Sequence, residues 1–243
     1  MEHYSYSYII ITVDKPKYRY EFQSNNPLIL GESPEIGLKS LFMWYTYPNI
    51  SEKYNNNTLT ISQHGVSKHI TIPKGMYEVS ALSDFINSQL QSAEQTVRKK
   101  LFSLVVNEST FKCIVKIAPN SNLTVDFSEG QLHELLGLDP KIYTEGSEEG
   151  KQIINITRGV DKVFIRCSLV NRPFQQEFSD TLYDILPYSQ PGAAIQEQIE
   201  HVEYHKCKDK FIKYFDIKIT DRNGDLLEFS EPVSLKLAFR SII

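Results

Sequence analysis

Residues 127–140 read FSEGQLHELLGLDP, and both ends of one short helix are written into them. Ser128 is placed as an N-cap, with Gln131 completing a capping box three residues on. Phe127 and Leu132 stand at the positions of a hydrophobic staple. At the other end Gly137 suits the left-handed position that stops a helix, Leu138 can fold back on Leu132, and Pro140 blocks continuation. The spacing predicts a helix of about eight residues, too short to be stable alone. Leu132, Leu135 and Leu136 must therefore pack on something larger. Almost everything on either side reads as β-strand, which sets the fold class: an antiparallel all-β protein with two short helical inserts.

Working outward, the strands follow from period-2 alternation. Tyr4, Tyr6 and Tyr8 alternate with Ser5 and Ser7 and run into Ile9 to Val13. Residues 1–14 read as an edge strand of the same domain or as an N-terminal arm on a neighbouring subunit. Lys17 to Gln23, Leu28 to Leu30 and Ile36 to Tyr47 are further strands. Leu59 to Ser62 and His69 to Ile72 frame a turn at His64-Gly65. The longest helix is expected from Ala81 to Ala93, capped by Ser80, with Leu82, Phe85, Ile86, Gln89 and Leu90 setting its period. Phe102 to Val106 and Lys112 to Ile117 form a hairpin across Asn107 to Thr110, and Leu123 to Phe127 leads into the short helix. Glu145 to Gly150 reads as an acidic exposed loop. Ile153 to Arg158, Val163 to Val170, Leu182 to Leu186 and Ile195 to Cys207 return to strand, the last after a turn at Pro191-Gly192. Phe215, Ile217 and Ile219, then Val233, Leu235, Leu237 and Phe239, read as a closing hairpin turned by Asn223-Gly224.

About ten short strands without a linker, composition break or internal repeat predict one domain over residues 1–243, a single jelly-roll β-sandwich. The 243 residues can bury a full core. With 41% hydrophobic and 23% charged residues the composition is that of an ordinary globular protein. A net charge of −4 argues against a general nucleic-acid binder. The start, MEHYSYSYII, has no basic n-region and no long apolar core, so no signal peptide is expected. No apolar run reaches the roughly 20 residues that span a bilayer. Cys113, Cys167 and Cys207 are odd in number and far apart, as packing residues of a reducing compartment would be. On that view the Asn-x-Ser/Thr sites at Asn49, Asn56, Asn107, Asn122 and Asn155 go unused.

Catalytic chemistry finds little support. Gly146 to Lys151 has three residues between its glycines where a phosphate loop has four, and Gln152 stands where Ser or Thr should. Asp221, Asn223 and Asp225 open like a calcium loop, but the glycine comes at the fourth place and Pro232 replaces the closing Glu. A tight turn explains them better. His201, Glu203, His205 and Cys207 would share a face if they lay on one strand, and could then hold a transition metal. They lack the close His-x-His pair of cupin-type sites, so a solvated polar edge is the better reading. No nucleophile elbow or catalytic cysteine signature is present. The expectation is no catalytic residue, no cofactor-binding residue, no metal site and no cofactor.

Taken in order, these motifs resemble the minor capsid (penton) proteins of Maverick/Polinton-type viruses, related to virophage and adintovirus pentons. The resemblance runs through Asn26 to Leu30, Ile36-Gly37-Leu38 and Trp44, Pro73 to Tyr77, and Leu82, Ile86 and Asn87. It continues through Leu135 to Asp139 and Val163 to Cys167, and closes with Phe215 to Gly224 and Val233 to Arg240, its most specific part. It departs from the pattern after Trp44, where Tyr45 to Pro48 intervene before Asn49-Ile50. The resemblance implies a jelly roll forming homopentamers at the five-fold vertices of an icosahedral capsid, beside a double jelly-roll major capsid protein. It further implies a virion component assembled inside the host cell, not secreted, without sequence-specific nucleic-acid or membrane contacts. The alternative is an intracellular ligand- or carbohydrate-binding β-sandwich module, against which stands the single Trp of the chain. A metal-dependent jelly-roll enzyme using His201, His205 and Cys207 is the third reading.

Overall fold

The computed structural model describes residues 3–23, 25–90, 100–157, 161–171, 179–187 and 192–242. The strands are β1 (Tyr4–Val13), β2 (Lys17–Glu21), β3 (Leu28–Ile29), β4 (Glu32–Trp44), β5 (Thr58–Gln63), β6 (Val66–Thr71), β7 (Phe102–Asn107), β8 (Lys112–Ile117) and β9 (Leu123–Asp126). They continue with β10 (Ile142–Tyr143), β11 (Gly146–Ile153), β12 (Val163–Cys167), β13 (Thr181–Ile185), β14 (Ala194–Gln198), β15 (His205–Lys206), β16 (Phe211–Ile212), β17 (Tyr214–Thr220) and β18 (Val233–Ile242). Two helices accompany them, α1 (Val79–Leu90) and α2 (Leu132–Leu136). All named strand pairs are antiparallel, as the alternation requires. Among the described residues no helix is long and apolar enough to cross a membrane.

The chain divides into two compact units, residues 1–47 with 160–243, and residues 48–159. The first unit holds one sheet in the order β1-β18-β4-β14, with β15 also on β4, and a second in the order β13-β12-β17-β2. Their buried faces supply its core, Leu235, Leu237 and Phe239 from β18 and Phe215, Ile217 and Ile219 from β17 among them. The closing hairpin expected from the sequence does not form. The Asn223-Gly224 turn is present, with the Asp221 carboxylate accepting from the backbone N–H of Asn223 (2.9 Å) and Asp225 (3.0 Å). Beyond it only Leu226 and Leu227 fold back on β17. Val233 onward pairs with β1 and β4 in the other sheet, so the two strongest alternating runs face each other's core instead of each other's backbone.

Strand β4 carries a feature the alternation hides. Ile36 and Leu38 are buried, and then Leu41 and Met43. The step of three falls where the register against β18 shifts between Lys236 and Leu237. One extra residue at this β-bulge flips the side-chain parity and keeps both halves of a 13-residue strand facing the core.

The second unit has sheets β10-β9-β5-β6 and β11-β8-β7 around a core that includes Leu82, Ile86, Phe102, Phe127, Leu132 and Leu136. The β5–β6 turn falls at His64-Gly65, both with positive φ (50° and 79°), the geometry of a two-residue hairpin loop. The short helix is shorter than predicted. Ser128 bonds the Asp126 carboxylate through its N–H (2.8 Å) and hydroxyl (2.6 Å), and so does not cap. The helix begins at Leu132, preceded by Gln131 without a side-chain cap. Its stop is as read: Gly137 is left-handed (φ 68°), its N–H bonds Glu134 (3.3 Å), and the Leu138 N–H bonds His133 (2.8 Å). Two other expectations change. Glu145 to Gly150 is not a loop, because residues 146–153 form β11 on β8; the strand expected over 153–158 ends at Ile153 instead. Helix α1 starts at Val79, and its predicted last residues lie outside the described ones.

Candidate interaction surface

The residues weighed for chemistry are held in structural roles. His205 is buried on β15, its Nε2 3.1 Å from the Leu182 carbonyl and 3.8 Å from a Glu203 carboxylate oxygen. His201 and Glu203 precede the two-residue strand and so do not share its face. Burial pushes the Cys207 thiol up to about 12, far from the thiolate a metal site needs. Among the described residues no group of three His, Cys, Asp or Glu side chains is arranged to hold a metal ion. The glycine-flanked stretch 146–151 is strand, and Glu149 accepts from Asn107 Nδ2 (2.6 Å) and Thr110 Oγ1 (2.9 Å). Those two donors hold its carboxyl below the usual range.

What distinguishes the first unit is the contrast between the outward faces of its two sheets. On the β13-β12-β17-β2 sheet charges answer one another. Arg19 bonds Asp216 (2.8 and 3.2 Å) and also lies over the Tyr214 ring, 4.5 Å from its centroid. The Arg19 hydrogen bonds keep the Asp216 carboxyl below its ordinary range. Arg166–Asp180 and Lys162–Asp184 pair at 2.6 Å each. Exposed pairs of this kind add little stability, but they give this face a charged character, with Arg166, Lys218 and Lys17 aligned in one row.

The outward face of the β1-β18-β4-β14 sheet is built differently. The register aligns Tyr8 with Ala238 and Gly37, Ile10 with Lys236, Ser40 and Gln198, and Thr12 with Ser234, Phe42 and Gln196. Trp44 stands opposite Ala194 and meets the Phe42 ring edge-on at 5.7 Å between centroids. Tyr6 and Tyr8 are about half exposed (52% and 53%) and Ile10 more so (68%). Two cations on this face sit on rings: Lys236 lies 5.1 Å over Tyr8, and Arg240 lies 4.8 Å over Tyr4 and 4.0 Å over Tyr204. Arg240 also bonds Glu35 at 2.5 Å. Gly37 makes room for this packing, since a Cβ there would lie 2.3 Å from Val202 Cγ1 and 2.7 Å from the Glu203 carbonyl. A half-exposed sheet face of Tyr, Trp, Phe and Ile with uncharged Gln and Ser between them has the composition of a protein interface. Alternation places Tyr4, Tyr6 and Tyr8 on one side of a strand, and pairing with β18, β4 and β14 extends that side into a face. The signal was there in YSYSYIIITV, ten residues without a charge.

No protein-family model matches the chain, and no curated protein matches it in sequence. Among solved structures the chain is similar to the crystal structure of SeMet-labeled mavirus penton protein. The TM-score is 0.54 at 12% sequence identity, with 98% of this chain and 100% of that chain covered. The fold is therefore penton-like, an antiparallel β architecture of the jelly-roll type with two short helices.

Proposed function

We propose that a chain with a penton-like fold from end to end serves as a minor capsid (penton) protein of the Maverick/Polinton kind. In this reading residues 1–243 act as one domain, five copies close a ring at each five-fold vertex, and the ring sits among copies of a double jelly-roll major capsid protein. The work is structural and involves no catalysis or cofactor. The protein resides in the virion after assembly inside the host cell, without sequence-specific nucleic-acid or membrane contacts. The observation that carries the reading is the likeness to a penton protein over nearly the whole of both chains. Closed rings use heterologous interfaces, in which one surface of a subunit meets a different surface of the next. The Tyr- and Trp-bearing sheet face supplies one such surface.

The mass of the purified protein in solution, alone and mixed with the major capsid protein, tests this directly. A species of five subunits, or recruitment into capsid-like shells, is expected. A strict monomer that ignores the shell protein would end the penton reading. A carbohydrate-binding module is the second reading, favoured by the exposed Phe42–Trp44 pair beside Gln196. Glycan binding that is lost in Trp44→Ala, by a protein that never enters shells, would put that reading first.

A further inference from the structure

Exposed sheet edges template unwanted pairing, and folded proteins protect them with charges, bulges, prolines or a covering element. Among the described residues the edge strands of four or more residues are β1, β2, β6, β7, β11, β13 and β14. Five of them carry charge: Arg19 on β2, Lys68 on β6, Glu148 on β11, Asp184 on β13 and Glu197 on β14. Strand β7 carries none, and it is covered. The Leu104 N–H bonds the Ser83 hydroxyl (3.1 Å) and the Phe102 N–H bonds Asn87 Oδ1 (3.2 Å), both from α1. Among these six edges, then, the one without charge is covered.

Strand β1 breaks that pattern. It is the longest of these edges, ten residues without a charge, glycine or proline. Its register with β18 runs unbroken from Tyr4 opposite Ile242 to Val13 opposite Val233, so no bulge turns the edge away. No second strand pairs with it among the described residues.

We propose that the outer edge of β1, from Ser5 to Val13, accepts an extended, uncharged segment of a neighbouring capsid protein as an added strand. This rests on the penton reading above. The backbone of an open edge specifies the class of ligand, because a row of alternating N–H and C=O groups is matched by another extended backbone. Absence of charge narrows it further. Ile11 and Val13 point into the core at 3% and 0% exposure, and a charged side chain placed beside them would lose hydration without gaining a partner. On the outward side Tyr6, Tyr8 and Ile10 offer cross-strand contacts to aromatic or β-branched residues. Among the described residues the other edges of four or more residues in a second copy are charged or, for β7, covered, and the remaining edge strands are two residues long. Pairing β1 with β1 of a second copy is two-fold and does not build a five-membered ring.

Hydrogen–deuterium exchange of the full chain, free and after co-assembly with the shell-forming capsid protein, reads the edge directly. Amides of Ser5 to Val13 that point away from β18 should exchange rapidly in the free protein and at least tenfold more slowly in sedimented shells. Ile10→Glu, at an exposed outward position opposite Lys236, puts a charge on the edge without repulsion from β18, and should lower incorporation at least tenfold while leaving the melting temperature of the free protein no lower than that of the wild type. Unchanged exchange of β1 in shells that contain the protein overturns the proposal, as does wild-type incorporation of Ile10→Glu. Protection that appears in the free protein as its concentration rises overturns it in favour of self-pairing. Failure to co-sediment at all removes the penton reading and this proposal together, an outcome distinct from incorporation with an open edge.

Discussion

The side-chain amide of Asn87 grips the backbone of Phe102 from both sides, Nδ2 donating to its carbonyl at 2.5 Å and Oδ1 accepting from its N–H at 3.2 Å. Nδ2 also reaches the Ser83 carbonyl one turn back (2.8 Å). A helix has thereby taken the place of the next strand, and β7 ends its sheet without an open edge at that point. Asn87→Leu keeps the volume and leaves Phe102 with a buried donor and acceptor unmatched. Each such group costs about 1–3 kcal/mol, so a loss of roughly 2–6 kcal/mol in urea unfolding is expected. Faster amide exchange at Phe102 and Leu104 should accompany it.

Gly137 ends α2 with a left-handed backbone, and a Cβ there would lie 2.4 Å from the Gln152 carbonyl and 2.8 Å from that of Ile153. Both obstacles are backbone of β11, which cannot swing aside. Gly137→Ala should cost at least about 2–3 kcal/mol from combined strain and overlap. Gly65 is the control: its φ is also positive (79°), but nothing lies within 4 Å of the Cβ position. Gly65→Ala should cost about 1–2 kcal/mol. Equal thermal shifts for the two variants would contradict this account.

At Gly37 the obstacle is the segment packed across the outward face of β4, with Val202 Cγ1 at 2.3 Å and the Glu203 carbonyl at 2.7 Å. Gly37→Ala should lift this segment, releasing Tyr204 from Arg240 at a cost of about 1–3 kcal/mol. Burial raises the Tyr204 phenol above its ordinary range, so its ultraviolet titration should move back towards that range in the variant.

The thiols of Cys113, Cys167 and Cys207 are all pushed up to about 12, chiefly by burial. An unfolded cysteine ionises near 8.5. The folded state therefore binds protons that the unfolded state releases once the pH exceeds about 8.5. This contribution is complete below that value and is lost as pH climbs towards 12. The urea midpoint should be insensitive to these groups up to about pH 8 and should fall between pH 9 and 12. A disulfide-exchange reagent at pH 8 should label Cys113 and Cys167, both fully buried, only as fast as the chain opens, and substantial labelling of these two in the native protein in the first minutes would contradict the burial.

Much of the fold could be read from side-chain alternation, and the reasons for the exceptions are specific. The β5–β6 and β7–β8 hairpins are local, and turn chemistry at His64-Gly65 and at Asn107 to Thr110 fixes them. The pair β17 and β18 looked equally local, with a sound turn at Asn223-Gly224, yet the strands belong to different sheets. Alternation says which face of a strand is buried and nothing about which backbone it bonds. Ser128 likewise had the right identity for a cap, but the Asp126 carboxylate two residues away competes for it at shorter range.

The candidate surface was less legible, because a sheet face is assembled from strands distant in sequence. Tyr8, Ala238 and Gly37 come into one row only through pairing. The sequence by itself determined the antiparallel β class, the core faces of most strands, the glycine stop at Gly137 and the absence of charge from Tyr4 to Val13. Those properties depend on local sterics and on the period of apolar residues, which each segment carries alone. Only the tertiary structure decided that β17 and β18 part, that Ser83 and Asn87 of α1 close the edge of β7, and that β1 ends its sheet. Sheet order and edge exposure are properties of long-range backbone pairing, and no single stretch of the chain contains them.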